Sequence, residues 1–305
     1  MRVLITGAGG FVGKHLISEL LKYGHEIIAF DATFSSAIKG VSRQVTGDLL
    51  DANRMDDLVS STKPDSCVHL AAMSFAPAAK DKAPKMFSIN VVGTLRLLET
   101  FRKHASEARI LNVSTAHVYG GIKTPLPIKE DMPLVPVSLY AISKAAADEA
   151  TLEYARMHKM HAMTARPNNH IGPGQSPQFV IASFAQQLKK MSASGGKGTI
   201  RAGNMESIRD FTDVRDVVTA YRLLIENGKS GTAYNISSNR MLSIRNAFEE
   251  LCQIAKVQPV VVTDKELFRP TDSSPVLDIT RIHGDTGWTP NIPLSQTFED
   301  ILAEF

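Results

Sequence analysis

The chain has few cysteines, little net charge and no long apolar run, and each shortage removes a class of protein. Two cysteines in 305 residues, Cys67 and Cys252, cannot build a disulfide framework. Cys67 lies within the apolar run Cys67-Val68-His69-Leu70 and reads as a small buried residue. A formal net charge of +3, with the basic residues scattered, leaves no electrostatic footprint for nucleic acid or a membrane surface. No apolar run approaches the length of a membrane span. The opening Met1-Arg2-Val3-Leu4-Ile5 leads directly into a glycine-rich turn, so it reads as a first strand and not a signal peptide, and the cytoplasm is the expected compartment. The histidines, His158 and His161 among them, lack the helical spacing of metal ligands, and no metal site is expected. There is no internal repeat. The 43% hydrophobic content is ordinary and supplies a core for one large or two modest domains.

What is present begins with Gly7-Ala8-Gly9-Gly10-Phe11-Val12-Gly13, directly after the apolar run Val3–Thr6. Phe11 to Tyr23 has the period of an amphipathic helix, with Val12, Leu16, Leu20 and Leu21 on one side. Strand, glycine turn and helix together form the context of a dinucleotide fingerprint, in which backbone N–H groups at the helix start hold phosphates. Gly7 suits a tight turn, Gly10 close approach by a pyrophosphate, and Gly13 close helix packing. The spacing GxxGxxG departs from the commoner GxGxxG. A second strand, Glu26 to Phe30, ends at Asp31, whose carboxylate can accept the hydroxyls of an adenosine ribose and repels a 2′-phosphate. NAD(H) is therefore favoured, with NADP(H) the alternative.

Strand-like runs recur at 2–6, 26–30, 67–70, 109–114 and 161–166, with helical patterns between them, notably 84–104 and 139–158. Such alternation predicts an α/β fold, a doubly wound parallel sheet covered on both faces. Beyond Arg166 the rhythm breaks at Pro167, Pro173, Gly174 and Pro177, and residues 192–198 read as a flexible connection. Helical patterns at 244–255 and 294–305 belong to a smaller C-terminal α/β domain that interleaves with the first. The expected division is 1–168 with about 211–240 for the dinucleotide-binding domain, and 169–210 with 241–305 for a substrate domain.

Two further features carry chemistry. Tyr140 and Lys144 stand four residues apart at the start of an Ala-rich helix, so they share a face. A phenol is a poor base at neutral pH, and a neighbouring ammonium favours its ionised form. The strand at 109–113 delivers Ser114-Thr115-Ala116-His117 at its carboxyl end, where ligands bind in a parallel sheet. Thr115 is placed to meet both Tyr140 and a substrate oxygen.

Together these motifs resemble the extended short-chain dehydrogenases/reductases, the nucleotide-sugar epimerases, dehydratases and reductases, from Met1 to Gly287-Trp288-Thr289-Pro290. The resemblance implies a catalytic set of Thr115, Tyr140 and Lys144, completed in many members by an Asn matching Asn90. It implies that Asp48 and Leu49 flank the adenine and that Leu70, Ala71 and Ala72 line the pyrophosphate and nicotinamide ribose, with Ser114 alongside. Dehydratases of the family carry acidic groups just after the catalytic Thr, whereas this chain has Ala116 and His117, which argues against a dehydratase. Arg166-Pro167-Asn168-Asn169-His170, Gly203-Asn204-Met205-Glu206-Ser207-Ile208-Arg209-Asp210 and Arg269-Pro270-Thr271-Asp272 resemble segments of the GDP-sugar members. They imply substrate contacts from Asn169, Asn204, Arg209, Arg269 and Asp272, with Ser74, Ala116 and His117 near the sugar. Two arginines, Arg209 and Arg269, suit a diphosphate. The implied activity is NAD(P)H-dependent reduction of the 4-keto group of a GDP-4-keto-6-deoxy-hexose. A 4-epimerase that retains NAD is the alternative, and a non-catalytic NAD-binding sensor is disfavoured because Thr115, Tyr140 and Lys144 are all present. The family often dimerises through the helices near 84–104 and 139–158, so a homodimer is expected.

Overall fold

The computed structural model describes residues 1–305 except 75–81, 123, 125, 194, 265 and 267–273. The chain divides into two compact units: Met1–Pro167 with Val218–Ile236 and Leu277–Trp288, and Asn168–Val217 with Ser237–Val276 and Thr289–Phe305. Leu277–Trp288, read from sequence as part of the second domain, therefore groups with the first. Ile128 and Leu277 form a parallel β-bridge there, and Leu277 is fully buried.

The first unit is a doubly wound α/β domain. Its strands are β1 (Arg2–Thr6), β2 (Glu26–Asp31), β3 (Arg43–Thr46), β4 (Ser66–His69), β5 (Arg109–Val113), β6 (Ala162–Pro167) and β10 (Ala233–Ile236). They pair in the order β10-β6-β5-β4-β1-β2-β3, every pair parallel. The order reverses at β1, so β1 and β4 flank the crevice where ligands bind in such sheets. The connecting helices are α1 (Phe11–Lys22), α2 (Ala52–Thr62), α3 (Ala83–Phe87), α4 (Gly93–His104) and α5 (Leu139–His158), with most of α7 (Val214–Asn227) and α9 (Thr280–Thr286). Between α3 and α4, Ser88–Val92 forms a π-helical turn, so the helix read as continuous from 84 to 104 contains one wider turn. β4 is buried throughout, as a strand covered on both faces requires. Leu4, Ile28, Phe30, Leu97, Phe101 and Ile110 make the core on one side of the sheet.

The second unit contains a three-stranded sheet, β7 (Asn169–Ile171), β9 (Ile208–Asp213) and β11 (Met241–Ser243), in the order β11-β9-β7. A two-stranded parallel sheet pairs β8 (Thr199–Ala202) with β12 (Val260–Thr263). Helices α6 (Val180–Ala193), α8 (Ile244–Ala255) and α10 (Leu294–Glu304) pack a core in which Phe184 meets Phe248 edge-on at 4.9 Å. The last two residues of α6 fall in the stretch read as a flexible connection, because Met191 is still packed in that core.

Candidate active site

At the end of β1 the backbone turns at Gly7, where φ is +74° and an added Cβ would lie 2.7 Å from the Ala71 nitrogen. Only glycine fits so close to the strand-β4 exit. At Gly13 an added Cβ would lie 2.6 Å from the carbonyl oxygens of both Gly7 and Ala8. The close approach expected there is thus to the turn itself. At Gly10 only the Gly7 carbonyl oxygen, at 3.3 Å, comes near, so its outer side is open. Gly10 is also the N-cap of α1 and supplies no side-chain cap, which leaves the first turn, Phe11, Val12 and Gly13, with its positive end of the helix dipole. Asp31 ends β2 and accepts the Gly9 N–H at 2.9 Å and the Thr33 N–H at 3.3 Å. Gly9, passed over in the sequence, thus ties the turn to the carboxylate that faces a ribose in such folds. An open, amide-rich cradle with a fixed carboxylate beside it fits a dinucleotide.

Asp48 accepts the Leu50 N–H at 2.9 Å and is exposed, while Leu49 is buried against the core near Gly93 of α4. Beyond β4, the Leu70 N–H donates to the Thr6 carbonyl and the Ala71 N–H to Thr6 Oγ1 at 3.3 Å, fixing the Leu70-Ala71-Ala72 segment against β1. Ser74 is exposed.

Behind this cradle lies a buried polar chain that the sequence did not disclose. Thr6 Oγ1 is 2.7 Å from His69 Nδ1, and His69 Nε2 is 3.1 Å from Thr94 Oγ1, which donates to the Asn90 carbonyl at 2.7 Å. Thr6 accepts from Ala71 and Thr94 donates to Asn90, so the network assigns the proton of His69 to Nε2. Burial pushes the His69 pKa down to about 3, with the nearby Lys144 adding to the effect. A neutral imidazole is what this chain of bonds requires. Asn90, in the π-helical turn, accepts the Met73 N–H at 2.7 Å and donates to the Met73 carbonyl and to Ser143 Oγ, at 3.2 and 3.0 Å. Ser143 in turn donates to the Tyr140 carbonyl at 2.7 Å. The available signals were modest: polar Thr6 closing an apolar strand, and a histidine inside the run Cys67–Leu70.

Ser138 caps α5 by accepting the Ala141 N–H, which starts the helix at Leu139, one residue before Tyr140. Lys144 is 4% exposed, and burial lowers its pKa to about 8 although Asp148 pulls the other way. Tyr140 is raised to about 12 by burial. The ammonium was expected to draw the phenol down; in the folded chain desolvation outweighs it, and Tyr140 stands as a protonated acid. The 3-10 turn Ala116–Tyr119 after β5 packs against α5, with Ala116 and Ala145 in one cluster. Thr115, 7% exposed, accepts the His117 N–H. Ser114 is buried, its Oγ without a hydrogen-bond partner among the described residues. Ala116 is 1% exposed and His117 partly so.

The sequence profile of the GDP-mannose 4,6 dehydratase family matches residues 4–301. The chain belongs to this family. Within the GDP-mannose 4,6 dehydratase family and the wider extended short-chain dehydrogenases/reductases, its relatives differ in activity. A GDP-6-deoxy-D-mannose reductase of Pseudomonas aeruginosa is 34% identical over 306 residues, covering 100% of this chain and 97% of that protein. A UDP-glucose 4-epimerase of Mycolicibacterium smegmatis is 29% identical, covering 97% and 96%. Among solved structures, RMD from Pseudomonas aeruginosa complexed with NADPH superposes with a TM-score of 0.85 at 32% identity, covering 100% and 98%. UDP-glucose 4-epimerase from Thermus thermophilus in complex with NAD gives 0.88 at 26% identity, again covering 100% and 98%.

In the second unit Asn169 donates to Ser274 Oγ at 2.9 Å, and Asn204 accepts the Glu206 N–H. Arg209 lies on β9 opposite Leu242. Asp210, fully buried, accepts from Ser238 Oγ and the Asn239 N–H at 2.8 and 2.7 Å and from Ser237 Oγ, so it fixes the turn after β10. Arg269 and Asp272 lie outside the described residues. No group of His, Cys, Asp and Glu among the described residues could hold a metal ion, and no helix among them is long and apolar enough to cross a membrane.

Proposed function

We propose that this protein reduces the 4-keto group of a GDP-linked 4-keto-6-deoxyhexose with a nicotinamide dinucleotide, as a cytoplasmic homodimer. The observation that carries the reading is the turn after β5. There Thr115 is followed by Ala116 and His117, and Ala116 offers no proton-transfer group. A 4,6-dehydratase must move a proton from carbon 5 and a hydroxyl from carbon 6, which needs acids at those positions. The whole-length similarity to a GDP-6-deoxy-D-mannose reductase supports the same choice.

Gly7, Gly10, Phe11, Val12 and Gly13 hold the pyrophosphate, Asp31 the adenosine ribose, Asp48 and Leu49 the adenine, and Leu70, Ala71, Ala72, Asn90 and Ser114 the nicotinamide side. A nicotinamide held there would supply the hydride for carbon 4. Tyr140, a protonated phenol at neutral pH, donates its proton to the oxygen that gains charge at carbon 4. Thr115 Oγ hydrogen-bonds that oxygen, a donor aimed where charge develops. The Lys144 ammonium stabilises the phenolate that Tyr140 becomes. Arg209 and Arg269 take the diphosphate, with Asn169, Asn204 and Asp272 on the nucleotide sugar and Ser74, Ala116 and His117 nearest the hexose. The exposed Val92, Leu139, Ile142 and Met157 near α4 and on α5 supply apolar surface for a dimer.

The test is loss of nicotinamide absorbance on mixing with GDP-4-keto-6-deoxy-mannose, with NADH and NADPH in parallel. Substrate-dependent oxidation is expected, with NADH preferred because of Asp31. Tyr140→Phe should lower turnover by about 10²–10⁴-fold while cofactor binding persists; full turnover in that variant would end the assignment. The second reading, a 4-epimerase, is favoured by the Asp31 carboxylate, which accepts the Gly9 N–H at the end of β2 and suits retained NAD. Nicotinamide nucleotide that copurifies with the protein, together with no oxidation in the assay, would select it.

A further inference from the structure

Tyr140, Lys144 and Asp148 recur every fourth residue along α5 and so form one stripe. Asp148 is 0% exposed and lies one turn beyond Lys144. A buried carboxylate at that spacing is the natural ion-pair partner of the lysine, and such a pair would draw the ammonium back along the helix. The carboxylate is instead fully engaged from another element. Arg166 on β6, 2% exposed, donates from Nε to Asp148 Oδ2 at 2.9 Å and from Nη2 to Oδ1 at 2.8 Å. The guanidinium is itself held on its other side, Nη1 donating to Tyr119 OH at 2.6 Å and to the Glu130 carbonyl at 3.0 Å. Its carbon stands 5.3 Å from the centre of the Tyr119 ring. Tyr119 OH donates a hydrogen bond to Asn235 Oδ1 at 3.1 Å.

The geometry points to the Asp148–Arg166 pair as the charge-setting element of the Tyr140–Lys144 couple: Arg166 occupies both oxygens of Asp148, so that Lys144 remains available to the cofactor and to Tyr140. Asp148 and Arg166 are positioning residues, acting through Lys144. This inference rests on the role proposed for Tyr140 and Lys144, and adds what controls it. The remaining groups around the couple leave it little other charge. His69 of β4 is held neutral. Tyr119 after β5 and Tyr221 of α7, which senses Tyr140, are both held protonated by burial. The Glu130 carboxyl accepts the Asn235 N–H at 3.0 Å and faces Arg281 at 3.5 Å. Asp148 is therefore the charged group that acts on Lys144, pulling against the larger effect of burial.

The test uses the full chain and two substitutions of opposite sign. Arg166→Met leaves the Asp148 charge alone, and Asp148→Asn leaves the Arg166 charge alone. A tyrosinate difference titration, each variant measured against the same variant carrying Tyr140→Phe, reports the titration of Tyr140 without needing substrate. Arg166→Met is expected to move it up and Asp148→Asn down, each by about one pH unit for a charge two helical turns from Tyr140. The charge-free Asp148→Leu/Arg166→Met double should return it near the native position. Replacing a buried pair by apolar residues is often tolerated where removing one partner is not, so the double and Asp148→Asn decide the question if Arg166→Met does not fold. In parallel, the cofactor KM should rise about tenfold in Arg166→Met and recover in the double. An unmoved titration in Asp148→Asn, or a double variant shifted by a full unit, would refute the inference. Full turnover in Tyr140→Phe would instead remove the reading on which it stands.

Discussion

His69 offers a measurement of the buried polar chain that needs neither substrate nor cofactor. Its pKa falls from 6.5 to about 3 because burial removes the solvent that would stabilise the charged imidazolium, with the nearby Lys144 adding to the effect. Above pH 6.5 it is neutral whether the chain is folded or unfolded, and contributes no pH dependence. As pH falls below 6.5 the unfolded chain takes up a proton that the folded chain refuses until about pH 3. Stability therefore declines with acid across that window, since the unfolded state binds more protons. Each pH unit costs about 1.4 kcal/mol, so lowering the pH to about 5 removes about 2 kcal/mol through this one residue. Trp288, the sole tryptophan, is 1% exposed and belongs to the same unit as His69, so its fluorescence reports the relevant unfolding. Urea unfolding near neutral pH and near pH 5 is to be compared between the native chain and His69→Gln. The variant starts less stable, having lost part of the hydrogen-bond chain, but should show about 2 kcal/mol less acid sensitivity. His170 is also lowered by burial, but it is common to both proteins and cancels. Equal acid sensitivity in the two would mean that His69 accepts a proton in the folded state, and the assigned tautomer chain would be wrong.

Two glycines and one carboxylate give further tests. Gly13→Ala places a Cβ 2.6 Å from two backbone oxygens, so it should lower stability by about 1–3 kcal/mol and weaken dinucleotide binding by about tenfold or more in a fluorescence titration. Gly284→Ala, in α9 with open space around the position, should instead raise stability by up to about 1 kcal/mol; destabilisation there would show that the contrast is not steric. Asp31→Asn keeps an acceptor for the Gly9 N–H but loses the charge, and should reduce the preference for NADH over NADPH by about tenfold, read as the ratio of kcat/KM values.

The parallel sheet was legible because its central strands carry dense apolar runs and its glycine turn has a fixed place between strand and helix. The start of α5 was legible for a local reason, the Ala-rich stretch that follows Tyr140. β3 was not: Arg43–Thr46 is short, sits at the sheet edge and buries only Val45, so it lacks both alternation and an apolar run. The placement of Leu277–Trp288 escaped because it depends on long-range partners, the Ile128–Leu277 bridge and the bonds of Arg281 to the Ala233 carbonyl and of Tyr234 to Asp285 among them, which no local pattern encodes. At the site, Tyr140 and Lys144 stood out by spacing and Thr115 by its place at the end of a strand, whereas their electrical state did not. Whether a phenol beside an ammonium is acidified or desolvated depends on burial, and here burial prevails. Thr6, His69, Thr94 and Ser143 escaped because their partners come from distant segments, and a buried hydroxyl or imidazole looks the same in sequence as an exposed one.

The wider turn at Ser88–Val92 makes chain length at this point as consequential as composition. The Gly93 N–H reaches back five residues to the Ser88 carbonyl, one more than a regular helix uses. Deleting any one of these residues would let the helix close up in ordinary register and swing everything before it by about 100° relative to α4. The Asn90 amide would then leave Met73 and Ser143 together, although no atom of Tyr140, Lys144 or the glycine turn had been altered. Among relatives, a one-residue gap inside this pentapeptide is thus a more telling difference than several substitutions on the surface around it.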